Sequence, residues 1–197
     1  MKHFHYNIQG WFQPEAEWLY RWRVEQAPDN AFSRFVEVGC WKGRSAAFMA
    51  VEIANSEKPI TFYCVDHWRG SNEIAHKKDP ELFRIYEIFR KNLGQFKNVL
   101  PLRMDSVQAA CVFGDGTLDF VFIDASHEYK DVKQDIRAWT PKLKSTGILA
   151  GDDWTWPEVR EAVAELVPAG VVIGNIWYSG VNGGATPPMI VSQYIPS

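Results

Sequence analysis

Six acids, one histidine and two glycines stand where this sequence could do chemistry. Apolar runs end in Glu37, Asp66, Asp105 and Asp124, a further run leads into Asp152-Asp153, and His127 follows Asp124 by three residues. In an open parallel sheet the carboxyl ends of the strands face one crevice, where ligands bind. One acid at a strand end is ordinary. Four at successive ends of otherwise apolar strands exceed what solvation requires.

The first acid opens the run Glu37-Val38-Gly39-Cys40-Trp41-Lys42-Gly43-Arg44-Ser45. A strand, a glycine turn and a helix in that order let a ligand approach bare backbone and the amide-rich start of a helix. The dinucleotide pattern G-x-G-x-x-G is missing, which argues against an NAD-dependent enzyme. The distance from Gly39 to Asp66 suits an acid on the next strand accepting hydrogen bonds from vicinal ribose hydroxyls; a helix cap or surface acid is the alternative. Asp105-Ser106 is also common helix-capping chemistry. An imidazole at His127 could take a proton near neutral pH, or simply begin a helix at the surface. No His-x-x-x-His or Cys/His cluster points to zinc.

Alternating elements must position these residues. A helix is expected over Pro14 to Ala27 and strands over Arg34 to Val38, Ile60 to Asp66, Val99 to Met104, Leu118 to Asp124 and Gly147 to Ala150. A helix is expected from Ser45 to Asn55. Leu82, Tyr86, Phe89 and Leu93 step by 4, 3 and 4, as do Val132, Ile136, Trp139 and Leu143, each one face of a helix. Asp79-Pro80 reads as the cap and first turn of the former. Thr155 and Glu158 have capping-box spacing for a helix bearing Val159, Val163 and Leu166. Two β-rich runs close the chain, Gly170 to Tyr178 and Met189 to Tyr194, with a turn at Val181-Asn182-Gly183-Gly184 that would make them an antiparallel pair. This is an α/β pattern with a mostly parallel sheet.

The chain has 197 residues, a net charge of −3 and no basic block. That fits one domain over residues 1–197 and gives no evident nucleic-acid surface. Cys40, Cys64 and Cys111 are odd in number and without C-x-x-C, and read as buried thiols of a reducing compartment. With no signal-like or membrane-spanning run, a cytoplasmic location is the expectation. Nine tryptophans are many for this length; most read as core, and some as walls for a flat or ring-shaped substrate.

Glu-x-Gly-x-x-x-Gly resembles the first cofactor loop of class I S-adenosylmethionine (SAM)-dependent methyltransferases. Phe122-Ile123-Asp124-Ala125-Ser126-His127-Glu128-Tyr129 with Gly147-Ile148-Leu149-Ala150-Gly151-Asp152-Asp153-Trp154 narrows this to the metal-dependent O-methyltransferases, the catechol and caffeoyl-CoA type and small bacterial relatives. The resemblance covers roughly Arg34 to Trp154. It implies a Rossmann-like, seven-stranded, mostly parallel sheet with an antiparallel C-terminal strand. It also implies that Glu37, Gly39, Cys40, Trp41, Gly43, Ser45, Asp66, His67, Asp105, Ser106 and Asp124 contact SAM. Within that set, Glu37 and the loop amides would face the methionine portion, Ser45 its carboxylate, Asp66 the ribose and Asp105-Ser106 the adenine edge. Asp124, Asp152 and Asp153 stand where the family binds a divalent metal such as Mg²⁺, which would lower the pKa of a substrate hydroxyl. Alternatively, Asp152-Asp153 only starts a helix and Asp124 meets substrate directly.

The family's catalytic lysine is replaced by His127, so His127 and Asp124 are the candidate catalytic pair. The loop Lys144-Ser145-Thr146-Gly147 lacks the family's paired glycine. The partner is then a small-molecule methyl acceptor, a sugar hydroxyl first and a catechol-like phenol second. Metal-independent O- or N-methyl transfer and a non-catalytic SAM-binding scaffold remain as alternatives. Residues 68–95 are a candidate lid, and Trp154, Trp156 and Trp177 to Gly184 a candidate opposite rim. Residues 1–30 form a helical extension that either packs on the sheet or reaches a second subunit of a homodimer.

Overall fold

A computed structural model of the chain describes residues 1–71, 73–168, 170–179 and 193–194. Its strands are β1 (Ser33–Val38), β2 (Ile60–Asp66), β3 (Val99–Arg103), β4 (Leu118–Ile123), β5 (Leu143–Gly151), β6 (Val171–Ile173), β7 (Ile176–Tyr178) and β8 (Gln193–Tyr194). They form one sheet in the order β3-β2-β1-β4-β5-β7-β6-β8. The first five are parallel, and β7, β6 and β8 add antiparallel pairings. The chain winds outward from β1 to β3, then returns to β4 on the other side of β1. Strand order therefore reverses at the β1–β4 junction, the place where such sheets open a ligand crevice.

The sheet is covered on both faces, as buried parallel strands require. The period of two sends Phe35 and Glu37 to one face and Val36 and Val38 to the other. On the first face Phe35, Phe62, Phe120 and Phe122 meet helices α1 (Pro14–Gln26), α2 (Arg44–Ser56) and α4 (Ile85–Leu93), the last preceded in the chain by a short α3 (Ile74–Lys77). On the second, Val36, Val121 and Ile123 meet α5 (Ser106–Ala110), α6 (Tyr129–Trp139) and α7 (Pro157–Leu166). Helix α1 packs on its own sheet, with Tyr20 edge-on to Phe120 and Phe122. No described helix is long and apolar enough to cross a membrane.

Several elements differ from expectation. The run Gly170 to Tyr178 is a hairpin, not one strand: Gly174 takes a left-handed φ of 58°, where a side chain is strained, and β6 turns back as β7. The sheet thus has eight strands, with β8 against β6; residues 181–184, expected to form the closing turn, lie outside the described residues. The Leu82–Leu93 stripe begins as a 3₁₀ turn and becomes α-helical only at Ile85. Leu143 belongs to β5 rather than to α6. Thr155 does not cap α7, because its hydroxyl donates to Asn175 Oδ1 (2.7 Å). Cys40 and Cys64 are buried, but Cys111 is exposed.

Candidate functional site

At the β1–β4 switch point lies a cavity of about 760 Å³, a size that holds a cofactor and a small substrate. Its floor is the loop after β1. Gly39 has φ 89°, and a Cβ there would stand 1.8 Å from the Asp124 carbonyl oxygen, so only glycine lets this loop touch the one after β4. Asp66 braces the same loop. Its Oδ2 accepts the amides of Cys40 (3.0 Å) and Trp41 (2.9 Å), and its Oδ1 accepts that of Trp68 (2.6 Å). The carboxylate borders the cavity, but three of its roughly four acceptor positions are already used. His67 stands 3.7 Å from Asp66 and accepts the Arg69 amide.

Two expected cofactor contacts do not line the cavity. Glu37 lies on the α1/α2 face of β1, fully buried, where Tyr20 donates to Oε2 (2.8 Å) and Ser45 to Oε1 (2.9 Å). Burial pushes its pKa up to about 7 despite those hydrogen bonds. Gly43 faces α4, packed toward Leu93 and Phe89. Gly39, Cys40, Trp41 and Ser45 do line the cavity. Beyond β3, Asp105 is exposed and pairs with Arg69 at 3.4 Å, while Ser106 Oγ accepts the indole N–H of Trp139 (2.9 Å).

The acids after β4 and β5 share the opposite wall. Oxygen and nitrogen atoms of Asp124, His127 and Asp153 all lie within 4.8 Å of one another. Asp153 holds a left-handed φ of 65°, a strain of about 1–2 kcal/mol, and its Oδ2 sits 2.6 Å from His127 Nε2. Asp152 was expected among the metal ligands but falls outside this cluster. Its Oδ1 accepts the Asp153 amide (2.7 Å) and the side-chain amide of Asn175 (2.8 Å). Burial, then the charges of Asp152 and Asp153, hold the Asp124 carboxyl well above the usual range, and burial with the Asp153 charge pushes Asp152 up to about 6. Burial lowers the His127 pKa, yet the hydrogen bond and charge of Asp153 and the charge of Glu73 outweigh it, and the net shift is upward.

Sequence reasoning missed Glu73, whose Oε1 lies 3.5 Å from His127 Nδ1. It also missed Asn175, which ties the acid pair to the β6–β7 turn. A polar Asn after Gly174 inside an apolar run was the available signal. The outer wall is aromatic: Trp41 stacks on His76 with ring centroids 3.9 Å apart, Trp11 meets both, and Trp156 lies over His127. Of the candidate lid, Gly70, Ser71, Glu73 and His76 border the cavity, whereas α4 is packed into the core. Of the opposite rim, Trp156 lines the cavity, Trp177 is buried and residues 180–184 lie outside the described residues.

Residues 36–154 match a family model described as a methyltransferase domain. Protein y4gI of Sinorhizobium fredii is 27% identical over 155 residues, which are 76% of this chain but 16% of that protein. The chain thus spans about a sixth of that curated relative's length. Among solved structures, a protein described as a caffeoyl-CoA O-methyltransferase from Staphylococcus aureus has a TM-score of 0.62 at 15% identity, covering 88% of this chain and 85% of its own. The O-methyltransferase NovP gives 0.58 at 18%, covering 83% and 78%. CalS11, a calicheamicin methyltransferase, gives 0.60 at 14%, covering 86% and 78%. At these identities the likeness is one of fold.

Proposed function

The chain belongs to the methyltransferase-domain family, and from that premise we propose that it moves the methyl group of SAM to a hydroxyl oxygen of a small molecule, with a divalent cation assisting. The observation that carries this reading is the convergence of Asp124, His127 and Asp153 on the cavity that the Gly39 loop also borders. Half-buried acids whose charges oppose one another are stabilised by a cation. Two carboxylates and an imidazole suit Mn²⁺ as well as Mg²⁺. When bound, such an ion supplies Lewis acidity that eases loss of a hydroxyl proton.

The chain's own residues do the rest. Asp66 fixes the loop whose backbone receives SAM, and its remaining Oδ1 acceptor position is free for a ribose hydroxyl. Cys40, Trp41 and Ser45 flank the methionine end. The walls of Trp11, Trp41, His76 and Trp156 exclude water and favour a flat or ring-shaped acceptor, a sugar or a phenol. The neighbour CalS11 is also described as a TDP-rhamnose 3'-O-methyltransferase, which supports the sugar; the caffeoyl-CoA neighbour supports the phenol. The acceptor oxygen bonds to the methyl carbon as the carbon–sulfur bond breaks, the electron pair staying on sulfur.

A second, metal-independent reading is favoured by one observation, the 2.6 Å contact between His127 Nε2 and Asp153 Oδ2. That bond orients the ring and raises its basicity, so His127 would itself take the hydroxyl proton. Turnover of an acceptor panel in EDTA, followed by Mn²⁺ or Mg²⁺, separates the two. Loss and recovery support the first reading. Full turnover in EDTA, abolished by His127→Ala, supports the second.

A further inference from the structure

We propose that Glu73, on the turn before α3, is a positioning residue of the cation site, which holds the His127 ring so that one of its nitrogens serves as a ligand. The inference rests on the metal-assisted reading of the same cavity. His127 stands between two carboxylates. Its Nε2 is 2.6 Å from Asp153 Oδ2, and its Nδ1 is 3.5 Å from Glu73 Oε1. Trp156 lies over the same ring, with centroids 4.7 Å apart.

An imidazole that ligates a metal gives up the proton on the ligating nitrogen and keeps one on the other. A carboxylate accepting that remaining N–H fixes the tautomer, aims the ring and makes the ligating nitrogen more basic. Asp153 belongs with Asp124 and His127 to the cluster that could hold an ion, and Glu73 stands outside it. The Nε2 edge therefore faces the cluster through Asp153, and the Nδ1 edge is left to Glu73. Glu73 is itself aimed. Its Oε1 accepts the Ser71 hydroxyl (2.9 Å), and its amide donates back to Ser71 Oγ (3.1 Å). The Ser71 amide donates to His76 Nδ1 (3.2 Å), and His76 stacks on Trp41, whose amide Asp66 holds. One line of contacts thus runs from the loop after β1 to the ring at the cation site.

Mn²⁺ titration followed by electron paramagnetic resonance tests this on four proteins: wild type, Glu73→Ala, His127→Ala and the double variant. The Glu73 side chain is 33% exposed, so its removal leaves the core intact. Glu73→Ala should weaken Mn²⁺ binding by about ten- to hundredfold. In the His127→Ala background the same change should cost less than about threefold, because Glu73 acts through the ring. An equal loss in both backgrounds would make Glu73 a direct ligand or a general negative charge, and would overturn the proposal. Unchanged affinity in Glu73→Ala would overturn it too. Nitrogen-15 NMR of histidine-labelled wild type with Mg²⁺ gives a second readout. The remaining His127 ring proton should sit on Nδ1, and a proton on Nε2 would overturn the proposal by itself. Failure of the wild type to bind Mn²⁺ at all would instead overturn the metal-assisted reading beneath it.

Discussion

Replacing Glu37 with Gln should flatten the pH dependence of stability between about pH 4.5 and 7. Glu37 holds its carboxyl group inside the core, where Tyr20 from α1 and Ser45 from α2 donate to it. Its pKa rises from 4.5 to about 7, with burial as the main cause. At about 1.4 kcal/mol per tenfold change in acidity, that rise corresponds to about 3 kcal/mol. The native state binds the proton more tightly than the unfolded chain. The contribution is therefore fully present below the unfolded pKa and is lost as pH climbs through 7. Urea denaturation followed by tryptophan fluorescence at pH 5, 6, 7 and 8 measures it. Asp135 and Asp152 titrate in the same window, but they are common to both proteins, so the difference between the two curves isolates Glu37. The wild type should lose about 3 kcal/mol more than Glu37→Gln across the window. Parallel curves would refute the argument that Glu37 is buried as an acid.

Asp124→Asn should keep S-adenosylhomocysteine affinity within a fewfold while abolishing Mn²⁺ binding, measured by titration and by electron paramagnetic resonance; unchanged Mn²⁺ affinity would remove Asp124 from the cation site. Asn175→Ala withdraws the amide that holds Asp152 Oδ1, and Mn²⁺ affinity should fall about tenfold, whereas an unaltered affinity would make Asn175 a turn residue only. Lys42 is buried against Asp79 (2.7 Å) and Glu81 (2.9 Å), so Lys42→Met should destabilise the fold by about 2 kcal/mol. A midpoint of urea denaturation equal to wild type would contradict that.

The architecture was legible because strand and helix periodicities alternate cleanly from Phe35 to Leu149. The hydrophobic pattern alone places β1 to β5. What failed to show was set by partners distant in sequence. Glu37 sits in a cofactor-loop motif, yet the strand's period of two turns it to the α1 face, where Tyr20 meets it. Asp66 was legible as a site acid, but its use as a brace depends on where the amides of Cys40, Trp41 and Trp68 fall. Asp152 and Asp153 are adjacent letters that both accept from Asn175, yet only Asp153, in its left-handed turn, carries an oxygen to His127. Asp135 and Glu73 carried no motif at all; only the packing of α6 and the placement of the turn before α3 bring them to the cavity.

If the cavity at the β1–β4 switch point receives SAM, the chain binds the demethylated product there as well. Titration calorimetry with S-adenosylhomocysteine, in EDTA and again with Mn²⁺, tests it most directly. One binding site per chain is expected in both conditions, because the acids of the cation site are placed to meet the acceptor rather than the cofactor. Absence of binding in both would contradict it.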